Sequence, residues 1–345
     1  MLLVVNAGSS SLKLALFDAG LVQVAAALSE RIGTGGASGG AETHLHALEA
    51  GLDAMGIALG SLSGAAHRVV HGGAGLTAPT RITPEVVAAI AACVPLAPLH
   101  NPANLMAIHA LGRLAPDLAQ FASFDTGFHA TNPPVATRYA LPAAVEGLGL
   151  RRYGFHGISY ASLVRKVAGM GPLPERLLAL HLGNGASLCA ILRGQSVATT
   201  MGYSPLSGLT MGTRAGDIDG NAVLRLAEVH GVAEAGHILN RASGLLGLSG
   251  LSDMRALQAA GTAEARFAVD HFCYWAIRHA GSMIAAMGGL DAIAFTGGIG
   301  ENDAGVRDRI VQGLAYVAAG KPVWVIAAEE ERQIAAEALA LMAVR

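Results

Sequence analysis

Charge is scarce in this chain. Asp, Glu, Lys and Arg make up 14% of its 345 residues, and the net charge is −2. An average soluble chain carries roughly 25% charged residues. No basic footprint for a polyanion exists, so a nucleic-acid partner is excluded. Cysteine is rarer still. Cys93, Cys189 and Cys273 are widely spaced and odd in number, which argues against a disulfide framework or a zinc site and for reduced thiols packed in a core. Long apolar runs are missing despite a mean hydropathy of +0.46. The longest, Val86 to Leu99, is interrupted by Pro95 and Pro98 and falls short of the roughly 20 apolar residues a bilayer requires. The first residues, MLLVVNAGSSSLK, have no basic region and reach polar Asn6 after five residues, unlike a signal peptide. A cytoplasmic location and no membrane partner are expected. The P-loop pattern is absent too, because Gly320 and Lys321 are followed by Pro322.

What is abundant is apolar material, 52% of the chain, enough for more than one core at this length, so two domains are expected. Strand and helix patterns alternate. Leu2 to Asn6 and Leu12 to Phe17 flank a Gly/Ser turn and predict a hairpin. Leu45, Leu48, Leu52 and Met55 share one face of a helix predicted over 42–59. Thr83 before Pro84, and Asn101 before Pro102, predict helix N-caps with proline in the first turn. A long helix is predicted over 262–287, with Phe267, Phe272, Trp275 and Ile277 in the core. A strand over 291–296 then runs into a glycine turn. The run GTGGASGG at 33–40 reads as a flexible connection.

One internal echo bears on function. LVVNAGSSSLKLALF at 3–17 resembles LALHLGNGASLCAIL at 178–192: apolar strand, Asn/Gly/Ser turn, apolar strand. A duplicated domain would offer two tight turns of backbone N–H groups to a phosphate. FTGGIGEN at 295–302 adds a third such turn after a strand.

Eight segments in fixed order carry a more specific likeness: NAGSSSLK at 6–13, HRVVHGG at 67–73, PLHNPANL at 98–105, FDTGFH at 124–129, RRYGFHG at 151–157, HLGNGAS at 181–187, TMGYSPLSGLTMGTRAGDID at 200–219, and FTGGIGEN. With them the chain resembles, over nearly its whole length, the acetate and propionate kinases of the sugar kinase, Hsp70 and actin superfamily. The resemblance implies an α/β fold of two duplicated ribonuclease H-like domains. Each would be a mixed five-stranded sheet flanked by helices, with the active site in an interdomain cleft. The expected boundaries are 1–130 plus a C-terminal helix at 330–345 for the first domain, and 131–329 for the nucleotide-binding second domain.

The resemblance also implies ATP-dependent phosphorylation of acetate by direct in-line transfer, with Mg²⁺ (or Mn²⁺ in its place) and a homodimer. Propionate or butyrate is the alternative acceptor, and an ATP-driven binding module the distant alternative. A carboxylate is already nucleophilic at neutral pH, so the obstacle is charge repulsion, which cations must screen. The motifs assign that work to Arg68 and Arg214, a phosphoryl contact to His156, and an essential acidic role to Asp125, whose larger task would be orienting an arginine or a metal-bound water. Asn6 and Glu330 match the magnesium positions. The sequence around the glutamate departs from the family's, and Glu331 stays open. Ser9, Ser11 and Lys13 match the first phosphate turn, and His181, Leu182, Gly183, Asn184 and Gly185 the second. Asp253, Met254 and Arg255 match the adenosine contact, and Gly297, Gly298, Ile299, Gly300 and Glu301 the third nucleotide segment. The methyl pocket is expected from Val70, Leu99, Phe155 and Pro205. Tyr160 stands where the family usually has a second histidine, and the chain is shorter than typical members.

Overall fold

The computed structural model describes residues 1–8, 10–32 and 43–343. Two compact units result. The first comprises residues 1–128, 157–162 and 329–345, and the second residues 129–156 and 163–328.

The first unit's strands are β1 (Leu2–Ala7), β2 (Ser11–Phe17), β3 (Gln23–Glu30), β4 (Gly64–Val69), β5 (Thr80–Arg81) and β6 (Gln120–Phe124), ordered β3-β2-β1-β4-β6-β5. The meander β1-β2-β3 is antiparallel, while β1, β4 and β6 run parallel. The second unit contains β7 (Arg176–Leu182), β8 (Ala186–Leu192), β9 (Gln195–Thr199), β10 (Ala292–Thr296) and β11 (Val323–Val325), ordered β11-β10-β7-β8-β9. Read outward from the meander, β9-β8-β7-β10-β11 repeats β3-β2-β1-β4-β6 with the same strand senses. The echo between 3–17 and 178–192 is therefore the first hairpin of each duplicated sheet. The expected five strands hold for the second unit. In the first, the two-residue β5 pairs antiparallel with β6 and makes six; a segment that short has no periodicity to read.

Parallel strands are covered on both faces, which is why β1 is almost wholly apolar. Its residues alternate between two cores. Leu3 and Val5 pack with Leu14, Leu48, Leu52 and Leu111. Leu2 and Val4 pack with Ala66, Phe121 and, from the C-terminal helix Glu330–Ala343, Ile334, Ala335 and Ala338. Truncating a fully buried leucine such as Leu3 to alanine costs about 2–5 kcal/mol.

The first predicted helix occupies His44–Ala54. Thr43 caps it, its hydroxyl accepting from His46 N–H, and Gly56 at φ +66° follows its end. Its leucines line the core as expected. Thr83 caps the helix Pro84–Ala92. Asn101 does not repeat that device. His100 is the N-cap of the helix Asn101–Leu114, and the fully buried Asn101 bonds the backbone of His71 and Ile90 instead. The long helix spans Ala263–Met287, capped by Thr262. Phe272 is fully buried there, but Phe267 is 56% exposed, contrary to the core reading. A run of apolar residues on all sides of a helix does not by itself say which side is covered. The glycine turn after β10 is a short helix, Gly297–Asn302. The connection predicted over 33–40 lies outside the described residues. Cys93, Cys189 and Cys273 are buried free thiols, and burial pushes Cys189 up to about 12 and Cys273 to about 11. No helix among the described residues is long and apolar enough to cross a membrane.

Candidate active site

In the first unit the parallel strands end side by side, and each carries a polar residue at its carboxyl end: Asn6 on β1, Arg68 on β4, and Asp125 just past β6. Arg68 Nε donates to both Asp125 carboxylate oxygens at 3.2 and 3.1 Å, and Nη2 donates to Oδ2 at 2.7 Å. Nη1 reaches Asn6 Oδ1 at 3.3 Å. Burial alone would make this guanidinium easier to deprotonate, but the Asp125 carboxylate outweighs it and holds Arg68 firmly cationic. The C-terminal helix packs on the same sheet face and brings its acidic first turn to these strand ends. Glu331 Oε1 accepts from Asn6 Nδ2 at 3.2 Å and pairs with Lys13 at 3.0 Å. Burial would raise the Glu331 carboxyl, but Lys13 and Asn6 keep it below the usual range. Glu330 acts on Arg68 and Asp125 through its charge and makes no side-chain hydrogen bond among the described residues. Ser11 lies at the start of β2, its carbonyl accepting from Gly8 N–H at 2.8 Å, and Ser9 lies outside the described residues.

In the second unit His156 adopts φ +58°, a left-handed backbone that projects its ring from the start of a helix. Nδ1 meets Ser187 Oγ at 2.8 Å, and the ring stacks on His181 at 4.0 Å between centroids. A Cβ on Gly185 would stand 3.3 Å from His156 Nε2 and 3.5 Å from Arg214 Nη1. The two cationic or donor groups therefore converge where the turn has no side chain. Arg214 Nη1 is held by the Pro205 carbonyl at 3.0 Å, and its loop is closed by Gly208 N–H donating to Asp217 Oδ1 at 2.7 Å. Burial, then Arg241, pull the Arg214 pKa down from its usual value, and among the described residues no carboxylate offsets them, in contrast to Arg68. A site of this kind favours an incoming anion. His129 is a residue the sequence marks only by its place in FDTGFH. Its ring meets the Phe155 carbonyl at 2.9 Å and so fixes the backbone just before His156.

A cavity of about 800 Å³ in the second unit is lined by Gly183, Asn184, Asp253, Met254, Arg255, Gly298 and Ile299, among others. It thus gathers residues from the second hairpin turn, the Asp-x-Arg segment and the FTGGIGEN segment. Asp253 caps the helix Met254–Ala260 and pairs with Arg255 at 3.0 Å. Gly297 needs its glycine: at φ +80°, a Cβ would meet the Leu182 carbonyl oxygen at 2.7 Å. Gly300 is buried, and Glu301 accepts from the N–H groups of Gly297 and Ala328, holding the turn together. Of the expected methyl-pocket residues, Val70 and Phe155 are buried, Pro205 is half-buried and Leu99 is 44% exposed. Tyr160 is fully buried in the first unit, 6.3 Å from Phe128 between ring centroids.

Magnesium binds hard oxygen donors and keeps several waters, so one or two protein oxygens suffice. Asn6 Oδ1 and the Glu330 and Glu331 carboxylates are donors of that chemistry around one patch, and they fit such an ion. Among the described residues no three His, Cys, Asp or Glu cluster to cage a metal by themselves.

Two duplicated α/β units, one carrying the half-buried Arg68–Asp125 ion pair beside an acidic patch and the other a glycine-lined cavity, define a phosphotransferase architecture of the sugar kinase and actin type. The chain belongs to the acetokinase family, whose model matches residues 1–323. It is 44% identical to an acetate kinase of Rhodopseudomonas palustris, over 92% of this chain and 87% of that protein. Among solved structures it is similar to Porphyromonas gingivalis acetate kinase (TM-score 0.90, 32% identity, 99% of each chain). It is equally similar to a propionate kinase from Francisella tularensis (TM-score 0.91, 33% identity, 97% of this chain and 98% of that one). The protein is an ATP-dependent phosphotransferase with a carboxylate acceptor.

Proposed function

We propose that the acceptor is acetate and that the γ-phosphoryl group passes to it directly. A bond forms between a carboxylate oxygen and phosphorus while the bond from phosphorus to the β,γ-bridging oxygen breaks, giving acetyl phosphate and ADP. The observation that carries this reading is the convergence of His156 Nε2 and Arg214 Nη1 on the side-chain-free Gly185. A donor and a cation aimed at one spot suit equatorial oxygens of a phosphoryl group in transfer. Arg68, held by Asp125, supplies the charge that receives the acceptor carboxylate. The 800 Å³ cavity takes the adenosine end, with Gly183 and Gly298 approaching the phosphates. Asn6 and Glu330 would hold Mg²⁺, which screens phosphate charge when bound. Glu331, already engaged by Lys13 and Asn6, is the less available of the two glutamates. Val70, Leu99, Phe155 and Pro205 are the proposed surroundings of the methyl group.

Hydroxylamine trapping of acyl phosphate, run with acetate, propionate and butyrate, tests this reading. Acetate is expected to give the highest kcat/KM. Higher efficiency with butyrate refutes the acceptor, and ATP hydrolysis without acyl phosphate points to the binding-module alternative. Propionate is the second reading, favoured by the likeness to the Francisella tularensis propionate kinase. A cytoplasmic homodimer is also proposed. The exposed Phe267 and Tyr274, 56% and 62%, offer apolar surface on the second unit, and light scattering on the purified protein measures the mass.

A further inference from the structure

The parallel ladder between β1 and β4 is paired through Val5 and His67, one position short of Asn6 and Arg68. Past that point the chain from Val70 to Gly73 has its N–H groups taken by side chains: Val70 by Asn104, His71 by Asn101, Gly72 by Thr126, and Gly73 by His71 Nδ1. Asn104 differs from the others because it reaches two strands. Its Oδ1 accepts from Val70 N–H at 3.0 Å, two residues past Arg68, and its Nδ2 donates to the Ala7 carbonyl at 2.8 Å, the residue after Asn6. A carboxamide carries the same donor and acceptor as a peptide group. Here it stands in for a rung where the two strands cease to pair.

Packing does not account for an asparagine at this position. The helix Asn101–Leu114 lies against the sheet through Ala107, Ala110 and Leu111. Asn104 is 1% exposed, where Ala or Leu would favour both helix and core. We propose that Asn104 is a positioning residue for the phosphotransfer, a buried carboxamide that ties the ends of β1 and β4 and so sets the placement of Arg68 against Asn6. Resting on the reading of Arg68 as a working cation, the inference adds a residue that touches no reactant. A displacement of about 1 Å in a catalytic group can cost roughly 10²-fold in rate. Asn104 holds the backbone at Val70 and Ala7, just beyond the two groups that meet through the 3.3 Å contact from Arg68 Nη1 to Asn6 Oδ1.

The test is a double-mutant cycle on acyl phosphate formation, with Asn104→Ala and Arg68→Ala made singly and together. Asn104→Asp is a second probe, keeping the acceptor for Val70 N–H and losing the donor to Ala7. Thermal unfolding and ATP binding serve as controls. Asn104→Ala is expected to lower kcat roughly 10- to 100-fold, with ATP affinity retained, and to cost less than about threefold when Arg68 is already alanine. Asn104→Asp, even where Asn104→Ala does not fold, is expected to show the same dependence on Arg68. Equal losses with and without Arg68 overturn the proposal and leave Asn104 a structural residue. Near-native turnover in Arg68→Ala alone instead overturns the underlying reading of Arg68.

Discussion

Replacing Asp125 by asparagine separates two roles a buried carboxylate beside a reaction can have: taking a proton or holding a cation. Asp125 is 2% exposed and accepts three hydrogen bonds from Arg68, at 2.7, 3.1 and 3.2 Å. An amide keeps the shape but offers one acceptor oxygen and turns a donor toward the guanidinium. Hydrogen bonds to charged groups contribute about 1.5–3 kcal/mol each and are not additive. Breaking a buried pair by removing one partner costs about 3–5 kcal/mol. Asp125→Ala is therefore expected to lose about that much stability, and Asp125→Asn somewhat less, because the side chain still fills its site.

The kinetic consequence follows from Arg68, which keeps its charge but loses the fork that aims it. Misplacement of that order costs roughly 10²-fold in turnover. The acceptor carboxylate is ionised across the whole neutral range, so no proton has to be removed from it. Initial rates of hydroxamate formation across pH decide the role. With an orienting Asp125, the Asp125→Asn profile keeps the wild-type shape at a lower height. Disappearance of an acidic limb from the kcat profile would show that Asp125 moves a proton, and near-native turnover would show that Arg68 needs no orientation from it.

Arg214→Ala is expected to lower kcat by roughly 10³ or more, on the scale of arginines in related phosphoryl transfers, while circular dichroism stays native; a folded variant with near-native kcat removes Arg214 from the mechanism. Glu330→Ala should raise the Mg²⁺ concentration at half-maximal rate more than Glu331→Ala does, and the reverse order moves the ligand to Glu331. Val70→Ala should narrow the preference for acetate over propionate, because one methylene in an apolar pocket is worth about 1–3 kcal/mol; an unchanged ratio takes Val70 out of the pocket. Acid should weaken both units: burial lowers His67 and His129 from 6.5 to about 4 each. The unfolded chain then binds more protons between those values, so stability is complete above 6.5 and falls as pH drops toward 4, by about 3 kcal/mol per histidine. Calorimetry showing an unchanged Tm across that window refutes the neutral, buried state of these rings.

What the sequence discloses and what it hides follow different physical rules. The hairpins at 2–17 and 176–192 are legible because apolar runs bracket small polar turns, and both sheets then propagate from them. Helix caps at Thr43, Thr83 and Thr262 follow local chemistry, but of the three only Thr83, with Pro84 after it, is marked as a cap by the sequence. Asn101 satisfies the same local pattern as Thr83 and does something else, because His71, 30 residues earlier in the chain, competes for its side chain. The same limit governs the candidate site. Motifs single out Asn6, Arg68 and Asp125 separately, yet nothing in their spacing says that Arg68 spends its fork on Asp125 and its remaining nitrogen on Asn6. That follows from three parallel strands ending in register with a helix laid across them. The choice between adjacent glutamates at 330 and 331 is likewise invisible to composition. What the fold adds is that the turn of the C-terminal helix presents Glu331, and not Glu330, to Lys13.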